Sequence, residues 1–423
     1  MYLTGRSSIF AFPKPLRTDT YRKVHSSSSV SKRDFPHSPS LRTAGCGGGS
    51  LIALFLAFLL FFGEGSIRAQ VLGGEGYPRP RFEDFWKGQL LDIRELSRTD
   101  TVKVTVIGDV MMHAKQIPTD WTEFLKRLEG RFADADLSIA NMEFPLAGKP
   151  YKGYPSFSAP DEFPAVIRDS GIDVFLCANN HVLDKGTKGL ERTLGMYRGM
   201  EGILFTGISS DKDEDSAIYP LIVPVRGLRI ALVNFTYGSN NGPSEAWPKV
   251  NLMKKDDIRK AIDRAKERKA DYIIALPHWG VEYELRHSPD QMKMAKWLIQ
   301  EQGCDAVIGS HPHVVQDSCW IDGKSVFFSL GNAVSNMSVK NTRLELMVTL
   351  RIVKHRDGSS EMLPPVAEFL WCTLPGKITD SYATIAVEDY RGRRDLWKDP
   401  SDYDNMMETL KRVSTETRIR TDR

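Results

Sequence analysis

The sequence predicts an α/β fold with a mixed sheet system, and three observations predict it. Strand-like and helix-like segments alternate through the body of the chain. Two short turns, Arg226-Gly227 and Asp322-Gly323, lie between apolar runs and add antiparallel hairpins. Of the nine histidines, five (His113, His181, His278, His311 and His313) fall at the end of a predicted strand or just past it. That is where open α/β sheets bind their ligands.

The elements follow in order. VKVTVIG, beginning at Val102, is β-branched and reads as a strand. DWTEFLKRLEG predicts a helix capped by Asp120 and stopped at Gly130. LSIAN (137–141) is a strand, DEFPAVIRDSG a short helix, and DVFLCAN (173–179) a buried strand. LERTLGMYRGM is helical and leads into ILFTG; IYPLIVPVRGLRIALVNFT is two strands. A helix from Asp256 to Lys269 precedes the strand DYIIALP. Ser288 caps a helix reaching Gln302, with Pro289 in its first turn. DAVIGS is a strand, CWIDGKSVFFSLG a hairpin, and two strands flank the turn at Asp357-Gly358. DYDNMMETLKRV is helix-like, and no internal repeat is visible.

With 423 residues, 41% apolar and 26% charged, the chain has ordinary globular usage. The net charge of +3 is unevenly spread: residues 1–50 hold eight Lys/Arg against two Asp/Glu, and the remainder 49 against 52. A near-neutral body argues against nucleic acid as a partner. Residues 1–50 are Ser-rich, basic and expected to be disordered. Leu51–Phe62 is apolar throughout, too short for a span of about 20 residues but suited to an export signal. We expect either a signal peptide cut after Ala69 or an uncleaved signal anchor over 51–69, and in both cases a body outside the cytoplasm. Cys46 precedes the apolar run, the wrong side for a lipoprotein site. Residues 70–101 read as a linker, 102–372 as the functional domain and 373–423 as a charged extension. Cys177, Cys304, Cys319 and Cys372 are too widely spaced for a zinc finger, and Cys177 in VFLCA reads as a buried thiol.

Five clusters carry chemistry. In GDVMMH, Asp109 follows a strand directly and His113 comes four residues later. In NMEFP, Glu143 can ligate, while Asn141 can bond phosphate or orient Glu143. In ANNHVLDKG, Asn180 offers a carbonyl oxygen, His181 an imidazole, and Asp184 lies close enough to orient that ring. PHWGVEY supplies His278 and Glu282. In GSHPHVVQ, Pro312 is expected to hold His311 extended, so that His311 and His313 share a face. Imidazoles mixed with carboxylates and an amide oxygen suit Mn, Fe or Zn better than Ca or Mg.

GDVMMH, NMEFP, ANNHVLDKG, HWGVEY, GSHPHVVQ and SLGN (329–332), in this order between about Val102 and about Cys372, resemble the motifs of the CapA/PgsA family of capsule and poly-γ-glutamate synthesis proteins. That family is related to calcineurin-like metallophosphoesterases. The resemblance therefore implies a calcineurin-like fold, two mixed sheets packed together and flanked by helices. It also implies one or two divalent transition-metal ions held by Asp109, Glu143, Asn180, His278, His311 and His313. His181, with Asp184, takes the catalytic position; His113, Asn141, Glu282 and Asn332 are left for the substrate pocket. Two spacings depart from the wider superfamily, whose opening acid and His are two residues apart and whose substrate-facing His is followed directly by an acid. Here His113 is four residues after Asp109, and Asp184 three after His181.

Three functions are consistent with these residues. One is a capsule or polyanion biosynthesis factor performing metal-dependent hydrolysis or transfer, beside membrane-embedded synthesis and export proteins. Another is a non-catalytic polymer-binding and export component with a vestigial site. The third is a stand-alone secreted phosphoesterase.

Overall fold

The computed structural model describes residues 100–242, 247–355 and 357–419. The basic leader, the apolar run Leu51–Phe62, Cys46, the expected cut after Ala69 and all but the end of the linker lie outside these residues. No helix among the described residues is long and apolar enough to cross a membrane.

The described residues include sixteen strands: β1 (Asp100–Val110), β2 (Leu137–Met142), β3 (Val174–Leu176), β4 (Leu204–Thr206), β5 (Ile208–Ser209), β6 (Leu221–Val225), β7 (Leu228–Thr236), β8 (Lys249–Val250), β9 (Tyr272–His278), β10 (Ala306–Ile308), β11 (Ser318–Ile321), β12 (Lys324–Phe327), β13 (Asn332–Val334), β14 (Leu344–Lys354), β15 (Ser360–Thr373) and β16 (Ala383–Ala386). They form two mixed sheets. The first runs β16-β15-β14-β1-β2-β3-β4, with β13 also pairing β1; the second runs β11-β12-β10-β9-β7-β6. β5 and β8 make a separate two-stranded pair. In each sheet the central strands are parallel and hairpin strands are antiparallel, as the alternation and the two Gly-centred turns predict.

The sheets pack face to face, because strand alternation gives each an apolar inner face. Val102, Val104 and Val106 of β1 meet Ile230 and Leu232 of β7 and Ile274 and Leu276 of β9 in one core. Helices cover the outer faces. The helix Lys255–Glu267 buries Ile258, Ala261, Ile262 and Ala265, a single helical stripe, against the second sheet. The helices Phe163–Asp169 and Gly186–Arg198 cover the first.

Three expectations need correction. The helix expected from Asp120 to Gly130 is two 3₁₀ turns, Trp121–Glu123 and Lys126–Leu128, followed by a helix Glu129–Asp134 that runs through Gly130. Phe124, Leu125 and Leu128 are all buried, and the break at Leu125 turns the neighbours Phe124 and Leu125 to the core together. The helix after Ser288 is α only over Pro289–Lys296 and ends in a π turn, Trp297–Glu301, that buries three consecutive apolar residues. The stretch from 373 onward, expected as a charged extension, supplies edge strand β16 and the helix Pro400–Thr417. Met406, Leu410 and Val413 of that helix enter the inter-sheet core, so only its other face is polar. Cys177, Cys304 and Cys372 are buried free thiols, and Cys319 is a half-buried one.

β1 carries the irregularity that builds the site. Its pairing with β2 slips between Val106 and Asp109, and its pairing with β14 ends at Val106. Ile107 faces the outer layer with Val110 instead of alternating with it. A bulge of this kind re-aims the next side chain, and it turns Asp109 toward the second sheet. Gly108 is required at the slip, because a Cβ there would lie 2.0 Å from the Gly331 carbonyl oxygen.

Candidate metal centre

Asp109 pairs in register with Asn141 on β2 and Asn332 on β13. Glu143 follows β2, the Asn179-Asn180-His181 turn follows β3, His278 ends β9, and His311 and His313 follow β10. The carboxyl ends of parallel strands from both sheets therefore converge on one crevice. Asp109, Glu143 and His278 have no exposed surface.

Distances define the cluster. His278 Nε2 lies 3.7 Å and His313 Nε2 3.8 Å from Glu143 Oε1. His278 Nδ1 is 4.0 Å from Asp109 Oδ1, and His313 Nδ1 is 3.4 Å from Asp109 Oδ2. Two triads, Glu143–His311–His313 and Asp109–Glu143–His278, each bring one ligand atom per residue within 4.8 Å of the others. Glu143 belongs to both.

Each side chain is held from behind. Asn141 Nδ2 donates to Asp109 Oδ1 (2.7 Å), and the His311 amide donates to Asp109 Oδ2 (3.2 Å). Asn141 thus orients Asp109 and not Glu143. Asn332 is wholly buried; its Nδ2 donates to the His313 and Thr342 carbonyls, and its Oδ1 faces His313 Nδ1 at 3.0 Å. That places the proton on Nδ1 and leaves Nε2 of His313 as the ligand atom. Asn180 Nδ2 turns to Asn240 Oδ1 (3.3 Å), so Asn180 Oδ1 faces His278 Nε2 at 2.7 Å. Two acceptors at that distance require a proton or a cation between them.

Pro312 does not hold His311 extended: His311 has φ 101° and His313 φ 58°. The rings still meet, with centroids 5.8 Å apart. A proline restricts the preceding residue mainly against the α region, and here the bond from the His311 amide to Asp109 Oδ2 draws the backbone to positive φ. Such conformations cost about 1–3 kcal/mol each and gather at functional sites.

The residues fit a divalent metal. Both carboxylate oxygens of Glu143 and Nδ1 of His311 are buried without a hydrogen-bond partner. An unpaired buried carboxylate costs several kcal/mol. Burial, then Asp109 and Glu282, push the Glu143 carboxyl well above the usual range. Burial holds the His278 imidazole well below its usual value and takes His311 down to about 3. The imidazoles are therefore neutral, the form that ligates.

His181 stands beside this cluster. Its Nδ1 donates to Asp184 Oδ2 (2.7 Å), which also accepts from the Phe157 amide (2.8 Å). Its ring packs edge-on against Phe157 at 4.7 Å. His113 sits opposite, half-buried, taken down to about 4 by burial and bonded through Nδ1 by the Asn336 amide (3.2 Å). Glu282 is exposed at the rim.

Several contributors were not singled out from the sequence. Ser310 Oγ is 2.9 Å from His278 Nδ1. Asn179 Nδ2 donates to the Met142 carbonyl (2.8 Å), and its Oδ1 accepts the His181 amide (3.2 Å). Asn234 on β7 accepts from the Ala178 amide (2.9 Å) and donates to the Leu276 carbonyl (2.9 Å), tying the His181 turn to the second sheet. Their adjacency to the motifs ANNH and GSHPH was the available signal for Asn179 and Ser310; Asn234 had none.

Acids, amides and imidazoles gathered at the joined strand ends of two mixed α/β sheets make a candidate site for a divalent metal. Residues 103–337 match the family described as bacterial capsule synthesis protein PGA_cap, and the chain belongs to that family. It is similar to capsule biosynthesis protein CapA of Bacillus anthracis, 28% identical over 318 residues, covering 71% of this chain and 74% of that one. It is also similar to PGA biosynthesis protein CapA of Bacillus subtilis, 28% identical over 278 residues, covering 63% and 71%. Among solved structures, the calcineurin-like phosphoesterase YfkN of Bacillus subtilis aligns over 75% of this chain and 99% of that one, with a TM-score of 0.43 and 14% identity.

Proposed function

We propose that this protein serves the synthesis or export of a capsular polymer as a metal-dependent phosphoester hydrolase or transferase whose body lies outside the cytoplasm. The observation that carries the catalytic part is Glu143: a fully buried carboxylate with both oxygens unpartnered, shared by two triads of ligand atoms. Asp109, Glu143, Asn180, His278, His311 and His313 would hold one or two ions of Mn, Fe or Zn type. Bound there, such ions supply Lewis-acid polarisation of a phosphoryl oxygen and of a water.

The chain's own residues do the rest. Asn141 and the His311 amide fix both oxygens of Asp109. Asp184 holds the proton on Nδ1 of His181, which leaves Nε2 to exchange a proton with a leaving oxygen. The basic leader followed by Leu51–Phe62 supports the location. Membrane-embedded synthesis or export proteins are the partners this reading implies.

Elemental analysis of the purified protein, with a phosphoesterase substrate panel, tests the site. Bound transition metal and turnover of at least one phosphoester are expected; metal-free protein after expression with Mn and Zn would sink the reading. A reporter fused after residue 100 should be active only outside the cytoplasm.

A further inference from the structure

His278 ends β9 with no exposed surface, and its two ring nitrogens meet different neighbours. Nε2 lies 2.7 Å from Asn180 Oδ1 and 3.7 Å from Glu143 Oε1, both candidate ligand atoms. Nδ1 lies 2.9 Å from Ser310 Oγ and 3.3 Å from Asn141 Nδ2. Asp109 Oδ1 is 4.0 Å from Nδ1, beyond hydrogen-bond reach. Asn141 presents an amide NH2 there, already committed to Asp109 Oδ1 at 2.7 Å. Among the described residues, Ser310 Oγ is therefore the atom that can accept a hydrogen bond from Nδ1.

The backbone puts Ser310 in that place. Beyond the end of β10 it forms a parallel bridge with His278. The Ser310 amide donates to the Pro277 carbonyl (3.0 Å), and the Ser310 carbonyl accepts from the Trp279 amide (3.0 Å). Paired residues on neighbouring strands send their side chains to the same face, so the hydroxyl stands beside the ring.

A hydroxyl both donates and accepts, and the ring can use it either way. With no ion, the 2.7 Å contact to Asn180 Oδ1 requires the proton on Nε2. Nδ1 then carries the lone pair, and the Ser310 O–H donates to it. To ligate, Nε2 must give up its proton and Nδ1 must take one, and the new N–H donates to Ser310 Oγ. One proton leaves the ring for solvent and one enters from it, so the imidazole is neutral before and after. A carboxylate in place of Ser310 would hold the proton on Nδ1 throughout, as Asp184 does for His181. The empty site would then set two lone pairs 2.7 Å apart.

We propose that Ser310 is a positioning residue that lets His278 exchange tautomers as a divalent ion enters, so that the centre is stable both empty and filled. The inference rests on the reading of the crevice as a metal centre, and it concerns uptake and release of the ion, not the hydrolytic step.

The full-length protein, stripped with chelator and titrated with Zn against a chromophoric competitor, provides the test. Ser310→Ala should bind Zn about tenfold to a hundredfold more weakly, with the same number of ions per chain. Ser310→Thr keeps the hydroxyl and should recover most of that affinity. Long-range proton–nitrogen spectra of the histidine-labelled wild type should show His278 protonated on Nε2 in chelator and on Nδ1 with Zn, a readout that packing alone does not move. Unchanged affinity in Ser310→Ala, or one and the same His278 tautomer in both states, would overturn the inference and leave the metal centre standing. A wild type that takes up neither Zn nor Mn overturns both.

Discussion

The Gly108 amide donates a 2.7 Å hydrogen bond to Oε1 of Glu345, across the point where β1 leaves β14 and takes up β13. No strand supplies a carbonyl there, so a side chain closes the gap that turns Asp109 into the crevice. Glu345 is completely buried, and burial raises its carboxyl well above the ordinary 4.5. Glu345→Leu leaves the Gly108 amide unsatisfied and should cost about 1–3 kcal/mol.

The same shift gives a pH dependence. A carboxyl whose folded value is raised stabilises the fold most below its unfolded value, and that contribution falls as pH rises toward the folded one. As pH rises above about 4.5 this contribution should decline in the wild type and be absent in Glu345→Gln, which keeps an acceptor for Gly108 without titrating. Urea unfolding of both proteins across that range checks it; parallel stability curves would refute the assignment.

Glu143→Gln should reverse sign with metal. In chelator, the variant removes a buried carboxylate that has no partner, and its stability should equal or exceed that of the wild type. With Mn or Zn in excess, the wild type should gain in Tm through binding to the folded state, and the variant should not. A variant destabilised equally with and without metal would show that Glu143 serves packing alone.

The parts legible in the sequence were those with a local signature. Apolar runs ending in His or Asn mark the strand ends, so Asn180, His278, His311 and His313 could be placed together before any geometry was known. The hairpin at Arg226-Gly227 announced itself because both residues take positive φ, at 45° and 81°. What stayed hidden depends on neighbours far along the chain. The slip that turns Asp109 leaves only Gly108 as a trace, and its reason is the Gly331 carbonyl against it. Glu345 in LELMV reads as a solvent-facing position of an alternating strand; it is buried because the face it shares with Met347 and its cross-strand partner Leu370 is packed into an apolar layer. Asn332 reads as a pocket residue but lies beneath His313.

The C-terminal helix is locked by one charged pair. Arg343 NH1 and NH2 bond Asp402 at 2.6 and 2.7 Å, the guanidinium stacks on Trp371 at 4.3 Å, and Trp371 Nε1 donates to Asp402 (3.3 Å). Asp402 is buried, so removing it strands a largely desolvated guanidinium. Asp402→Ala should lose about 3–5 kcal/mol in urea unfolding. A loss within the range of a surface pair, about 0–1 kcal/mol, would show that apolar contacts alone hold the helix.

His181 and Asp184 decide whether the centre turns over. Both are buried, and the 2.7 Å bond between them fixes the ring so that Nε2 is the free atom. Neither belongs to the triads that gather ligand atoms. His181→Ala should therefore keep the fold and the metal, while losing roughly 10²–10⁴ of any hydrolytic rate and capsule formation with it. Asp184→Asn is the finer variant: an amide can still accept from Phe157, but it binds the imidazole without a charge and no longer selects its tautomer. Its kcat should fall and the acidic limb of its pH–rate profile should move, with KM less affected. Metal analysis, phosphoesterase kinetics and capsule staining of the two strains are the measurements. Normal capsule in the His181→Ala strain would count against catalysis, and would place polymer handling on the surface above the centre.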